Sequence, residues 1–511
     1  MTDIVVGSGP SGYATIRARL ALGRKVTLID VGHQLEPAQR KTRDALTRRE
    51  PRDWADDDLE VFRRSQEENP GGISRFGSAF AVRPMQDVVQ PSGAGLVLRS
   101  SHALGGLSNV WGSAVLPWSA GDMKGWPISA DDMAPHYQAV SRFMPVAGSP
   151  DHFGALFPVS EIEFSQPLPS NPQANGLIRR LGRLSDGQAQ AQVWTGPAWQ
   201  AAGPGCRSCG LCLYGCPYGV IYSTGPDVET LVNSGALTHI RGEVIGVSET
   251  GGGVEIALSG RDEKVTGDRL FIAAGVLETA RILFESRPEI AERGVTLRES
   301  RHFFTPFLQS GPAGKPDRDP HHTLVQAFVE FRRPEISPWL VHTQVFGWND
   351  FYAREMSARY GRGIGAIAPL FQWLSRRLFA AQTFLHSEHC HGIHLRPGHD
   401  ASRRLVADLA VSPDFDRKVR AARDFLASYM RRGGLHALKA AGRLDPPGAS
   451  FHTGATLPMS AAPGTCETDV LGRPSGAQRI HIVDASVLPA IPSSTITFPV
   501  MANAHRIAVL A

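Results

Sequence analysis

The sequence predicts an α/β chain (α+β overall) built from two domains, and three observations carry that prediction. An apolar run at residues 3–6 leads directly into the glycine-rich turn Gly7, Ser8, Gly9, Pro10, Ser11, Gly12. A helical stretch over 13–22 and a second apolar run over 25–30, ending in Asp30, complete a strand, turn, helix, strand, acid order. That order defines a Rossmann-type dinucleotide-binding unit. Beyond residue 300, segments 323–331 and 339–345 are rich in apolar and β-branched residues and predict the strands of a second, sheet-based domain.

Each part of the first unit has a physical task. The first run is apolar throughout, as expected of a strand buried on both faces of a parallel sheet. Gly7 permits the tight turn, Gly9 lets backbone approach a pyrophosphate, and Gly12 lets the helix pack closely on the strand. The helix N-terminus offers free N–H groups and a partial positive charge to phosphate. Asp30, eighteen residues beyond Gly12, is placed to accept hydrogen bonds from a ribose. NAD and FAD both satisfy this pattern, so the rest of the chain has to choose between them.

Composition excludes several classes. With 511 residues, 42% hydrophobic and 20% charged, the chain can bury a large core and has no sign of long disorder. A formal charge of +4, without a basic stripe, argues against nucleic acid as a partner. The first strand begins three residues from the start, which leaves no room for a signal peptide. The longest apolar stretch, 363–385, is interrupted by Pro369, Gln372, Arg376 and Arg377, short of the ~20 residues that span a bilayer. The expectation is a soluble, cytoplasmic protein without a transmembrane segment, with peripheral membrane contact as an alternative.

Four further segments choose the cofactor. Gly105 to Gly112 reads Gly, Gly, Leu, Ser, Asn, Val, Trp, Gly, and Gly125, Trp126, Pro127, Ile128 and Ser129 follow. Ala273, Ala274 and Gly275 open a third segment, and Val483, Asp484, Ala485 and Ser486 lie in a fourth, before a helical 502–508. Together these segments resemble the FAD-contact regions of the glucose-methanol-choline oxidoreductases, over both ends and most of the first 300 residues, fading between about 300 and 440. The resemblance implies an FAD domain assembled from 1–145, 200–300 and 450–511, and a substrate domain from 146–199 and 301–449. Its implied FAD contacts are Gly7, Gly9, Pro10, Ser11, Gly12, Asp30, Gly106, Ser108, Asn109, Val110, Val244, Ala274, Asp484, Ala485 and Thr495. Several members bond a histidine covalently to the flavin at the position held here by Val110, so non-covalent FAD is expected.

The implied reaction is oxidation of an alcohol or sugar hydroxyl to a carbonyl, with hydride passing to flavin N5. Imidazole is a far weaker base than an alkoxide, so proton removal must accompany hydride loss. His452 stands at the family's catalytic histidine, in a motif altered at Ala455. The second catalytic position of the family, eleven residues after Asp484, is Thr495, which can orient a hydroxyl but cannot act as a base near neutral pH. The tract His386, His389, His391, His394 offers another partner for His452; on a strand, His389 and His391 would share one face. A dehydrogenase passing electrons to a protein or quinone leads, with an oxidase making peroxide and a non-catalytic electron-transfer flavoprotein as alternatives. Small alcohols and carbohydrates are the expected substrates.

Four of the six cysteines, Cys206, Cys209, Cys212 and Cys216, fall within eleven residues, with the spacing of a ferredoxin ligand run. A single iron–sulfur cluster, [4Fe-4S] in form, is the leading expectation, against zinc or buried free thiols. In the covering region, an amphipathic helix is expected between about 366 and 384, with Leu370, Phe371, Trp373, Leu374, Leu378 and Phe379 on its apolar side, as a packed helix or a lid. An arginine-rich helix is expected over 417–440. Breakers near 195–205 and 311–320 mark the candidate domain crossings.

Overall fold

The first strand, Thr2–Val6, is buried on both faces, with Ile4 and Val5 fully shut off from solvent. It takes the centre of a five-stranded parallel sheet, between Arg269–Ile272 on one side and Lys25–Asp30 on the other. Ile480–Ile482 and Thr238–Arg241 close the two edges, also in parallel. Asp3 is tolerated in this core because Arg19 and Arg24 meet its carboxylate at 2.7 and 3.0 Å. In this computed structural model the described residues are 2–55, 57–60, 74–91, 93, 95–160, 162–185, 192–350, 368–398 and 403–511.

The helix Pro10–Ala21 opens with proline in its first turn and no side chain capping its free N–H groups. The last helix, Thr497–Leu510, packs along it, so the two ends of the chain share one core. Gly12 allows the close approach of this first helix to the turn: a Cβ there would lie 1.9 Å from the Gly7 carbonyl oxygen. Gly7 itself sits at φ +96°, a left-handed conformation that favours glycine.

Two further sheets, of five and seven strands, complete the main framework. One orders Thr453–Gly454, Val295–Glu299, Gly392–Pro397, Leu405–Ala410 and Val89–Pro91. The other runs Leu435–Ala437, His302–Gln309, Leu378–Phe384, Ser337–Phe346, Ala327–Arg333 and Val193–Pro197, with Arg443–Leu444 beside His302–Gln309. The strands expected at 323–331 and 339–345 are therefore present, as Ala327–Arg333 and Ser337–Phe346.

Two local readings of this region are corrected. The expected 366–384 helix spans only Ala368–Ser375, its first two positions lying outside the described residues. Leu378 and Phe379 belong instead to the strand Leu378–Phe384, which pairs with His302–Gln309 and Ser337–Phe346 on its two edges. Pairing with two neighbours outweighs a helical period read over a few turns. The histidine tract is not one strand either. Ser387–His389 forms a 3₁₀ turn, and of the four histidines only His394 falls within Gly392–Pro397. The arginine-rich helix is Phe415–Arg432, shorter than expected because the chain turns at Gly433 and Gly434 into Leu435–Ala437. Its buried face of Phe415, Val419, Ala422, Leu426 and Met430 explains its helical period.

Candidate active site

A cavity of about 410 Å³ opens from the glycine-rich turn toward the large sheets. Its far wall is formed by His302, Gln344, Phe346, Gln382, Phe384 and His452. At the near end Gly7, Gly9, Pro10, Ser11 and Asp30 line it, beside the uncapped helix N-terminus. Asp30 accepts from the Ser8 N–H and the Gly32 N–H, each at 2.6 Å, which fixes the carboxylate against the turn. Burial raises its pKa, and those N–H bonds work in the opposite direction.

The second glycine segment is bolted to the first. The Gly105 N–H donates to Ser8 Oγ at 2.8 Å, and Thr224 Oγ1 donates to the Ser8 carbonyl at 2.8 Å. Gly106, Ser108 and Val110 line the cavity along this seam. Asp484 closes the third side: it accepts from the Gly275 N–H at 2.9 Å, Thr279 Oγ1 at 2.5 Å and the Ser486 N–H at 2.9 Å. Ala274 and Ala485 line the wall next to it.

These residues fit a dinucleotide. The free N–H groups of the first helix suit a pyrophosphate, and Asp30 keeps further lone pairs for a ribose. Three of the expected contact residues are placed differently. Gly12 is behind the turn and serves packing. Asn109 uses its side-chain amide to donate to the Leu104 and Gly106 carbonyls, and Val244 is buried in the three-stranded sheet Val244–Glu249, Val254–Leu258, Val265–Gly267; none of the three lines the cavity.

At the reacting end, His452 reaches the cavity from the chain just before Thr453–Gly454. Its carbonyl accepts from the Ser300 N–H at 2.9 Å, and its ring stacks on Phe384 at 4.7 Å. Nδ1 is buried and has no hydrogen-bond partner among the described residues. Burial pushes the His452 pKa down to about 3, with the nearby His342 and His302 adding to the effect, so the ring is neutral near pH 7. Ala455, three residues on, is held at φ +59°, a left-handed conformation that costs a non-glycine residue about 1–2 kcal/mol.

Thr495 lines the same cavity, but its hydroxyl is engaged elsewhere. Oγ1 accepts from the Leu116 N–H at 2.7 Å and donates to the Leu116 carbonyl at 3.5 Å. The expected role of orienting a substrate hydroxyl is thus taken by a backbone contact. The histidine tract does not line the cavity: His386 stacks on Trp339 at 4.1 Å, His389 meets the same indole edge-on, and His391 accepts from the Ser412 N–H.

The residue that sequence reasoning missed is His302. Its Nε2 lies 2.7 Å from Asp445 Oδ2, and it lines the cavity beside His452. The only trace in the sequence is a histidine opening an apolar strand, with its carboxylate partner 143 residues away.

The cysteine run does not close on an ion. No three of the Sγ atoms of Cys206, Cys209, Cys212 and Cys216 lie within 4.8 Å of one another, whereas thiolates around one zinc would be about 3.8 Å apart. Cys209 packs with Phe76, Leu211 and Tyr214, and Cys206, Cys212 and Cys216 pack with Val220, Ile221 and Leu324, the four thiols still lying close enough to feel one another's charge. Burial pushes the Cys209 thiol up to about 12 and the Cys212 thiol up to about 11, the neutral state of buried thiols. The expected iron–sulfur cluster finds no support in this arrangement. Among the described residues, His102, Glu243 and Glu278 do converge, but Arg281 bonds both glutamates and Arg83 bonds Glu278, so the group is an ion-pair network.

No helix among the described residues is long and apolar enough to cross a membrane. No curated protein matches the sequence. Among solved structures, the chain is similar to pyridoxine 4-oxidase from Mesorbium loti, at 14% identity, a TM-score of 0.59, and coverage of 99% of this chain and 98% of that one. In all, 439 solved chains match, so the fold alone cannot choose a substrate. The GMC oxidoreductase family model matches residues 401–504, which hold His452, Asp484 and Thr495 and begin within the region where the sequence resemblance fades. Residues 401–504, with those site residues among them, thus match the glucose-methanol-choline (GMC) oxidoreductase model, and the chain as a whole shares the fold of the solved structure.

Proposed function

We propose that this protein is an FAD-dependent oxidoreductase that converts a CH–OH group to a carbonyl, with His452 handling the substrate hydroxyl. The family implies FAD, and the near end of the cavity has the free N–H groups and the carboxylate to hold it. When bound, FAD supplies the two-electron acceptor for the substrate C–H bond. Val110 offers no nucleophile for a covalent link, so the cofactor is held by contacts alone.

The observation that carries the reading is the neutral His452 ring on the cavity wall, stacked on Phe384. Gln344 and Gln382 add amide groups to the same wall, which suits a substrate with more than one polar group. Phe346 and Phe384 supply the apolar remainder.

Because the cysteine arrangement lends no support to a cluster, an electron carrier and dioxygen are both acceptors to be tested. The name of the solved relative makes pyridoxine the first alcohol to try and dioxygen the first acceptor. The test is anaerobic bleaching of the flavin by pyridoxine, benzyl alcohol or D-glucose, followed by peroxide measurement in air. His452→Ala should slow bleaching by about 10²–10⁴-fold while the protein retains its flavin. Bleaching of this variant at the wild-type rate would remove His452 from the chemistry.

A further inference from the structure

Alternation along two strands of the seven-stranded sheet decides which side chains meet the cavity. In Ser337–Phe346 and Leu378–Phe384, the residues Val341, Val345, Phe379 and Ala381 join one apolar cluster with Phe415 and Leu426 of the helix Phe415–Arg432. The alternate residues point to the opposite face. There Gln344, Phe346, Gln382 and Phe384 line the cavity. Gln344 pairs in register with Gln382, and each strand has a partner on both edges. The two amides therefore stand side by side in the middle of the sheet. Cross-strand neighbours of this kind have Cβ atoms about 5 Å apart, so both side chains can reach one small group.

We propose that Gln344 and Gln382 form a polar subsite that selects an alcohol carrying a second hydroxyl, with Gln382 making the main contact. The inference rests on the alcohol-oxidising reading above and names the substrate class of that same site. One end of the Gln344 amide is held, its Nε2 lying 3.2 Å from His342 Nε2, whose Nδ1 is 2.5 Å from Glu330 Oε1. Its Oε1 bonds none of the described residues and is not sealed off. Gln382 is freer still. Its side chain is only partly buried, its amide makes no hydrogen bond with any described residue, and neither of its polar atoms is sealed off.

An amide offers a donor and an acceptor, and a hydroxyl is both, so the pair is matched to neutral hydroxyl groups. The far wall on which it stands holds no carboxylate, lysine or arginine that would call for a charged substrate. Phe384 separates the two tasks. Its ring stacks on His452 at 4.7 Å, and Gln382 is the next residue on the same strand face. His452 handles the reacting hydroxyl on one side of that ring, and the amides take a second hydroxyl on the other. An alcohol with a single hydroxyl leaves the amides unmatched and binds more weakly by the bonds not made.

The test uses the flavin-loaded protein and two sets of alcohols. The first is built on one aromatic ring: benzyl alcohol, 2-hydroxybenzyl alcohol and 1,3-benzenedimethanol. The second compares cyclohexanol with D-glucose. Rapid anaerobic mixing gives each dissociation constant, from saturation of the bleaching rate or, where no bleaching follows, from the flavin difference spectrum. In at least one set a compound with a further hydroxyl should bind about tenfold or more tightly than the single-hydroxyl one. The set that shows this ratio distinguishes an aromatic alcohol from a carbohydrate. Gln382→Met should shrink the ratio to about threefold or less with flavin retained. Gln344→Met should shrink it in the same direction, and it carries the test alone if Gln382→Met does not fold. Equal binding within both sets by the wild type, or no binding in either, would overturn the subsite. So would a ratio unchanged in the folded variants, or a folded Gln382→Met protein that holds no flavin. Bleaching by none of these alcohols would count against the function, and the binding ratios would then decide for the subsite on their own.

Discussion

The two ends of the cavity were built in different ways. At the cofactor end, Gly7, Gly9, Ser11 and Asp30 come from a single stretch of chain, and hydrogen bonds from Ser8 and Gly32 to Asp30 close it locally. At the reacting end, His302, Gln344, Gln382 and His452 come from four strands or strand edges of two sheets. A motif can record the first kind of site because neighbours in space are also neighbours in sequence. The second kind exists only after the sheets have assembled, and no local pattern reports it.

The contrast predicts where substitutions should do most damage. Gly12→Val should have the largest effect, since any Cβ at this position meets the Gly7 carbonyl oxygen at 1.9 Å and the clash is with backbone. Purified variant should carry little or no flavin and melt well below the wild type; normal flavin content would show that the turn is not the rigid cradle described here.

Acid should act next, and on the reacting half. Burial pushes the pKa values of His322, His386 and His452 down to about 3, below the ~6.5 of an unfolded histidine. The unfolded chain therefore binds more protons between those values, and stability falls as pH drops from about 6.5 toward 3. Melting temperature measured from pH 7 to pH 4 should decline steadily, and a flat profile would mean that these rings are solvated.

Thr495→Val is expected to be the mildest. It leaves the buried Leu116 N–H unsatisfied, which should lower stability by about 1–3 kcal/mol. Flavin bleaching by the active alcohol should stay within about threefold of wild type, an ordinary surface-level effect on the barrier. A drop as large as that expected for His452→Ala would return Thr495 to the catalytic pair and break the contrast between the two residues.

Much of the cofactor end was legible because its signals are local. The strand at 25–30, the helix after Gly9 and the acid at Asp30 all stand where their spacing places them. Val110 and Asp484 were legible too, but only through resemblance to a family, since nothing in their own spacing points to a flavin. His452 was found by the same route. His302 was not, because neither a lone histidine opening an apolar strand nor an aspartate 143 residues later carries a signal by itself. The cysteine run is the opposite case: its spacing is that of a ligand set, yet the thiols pack against two hydrophobic clusters and the cluster expected from that spacing finds no support.

The sequence by itself determined the dinucleotide turn, the helix that follows it, the alternating strands beyond residue 300 and the family that the C-terminal segments resemble. Short-range sterics and hydrophobic period are enough for those features, because each is decided within a few residues. Tertiary structure alone decided that Leu378–Phe384 is a strand, that the Thr495 hydroxyl belongs to Leu116, and that His302 faces the cavity with Asp445 behind it. Each of these depends on partners that are distant in the chain, and only the packing of the sheets brings them together.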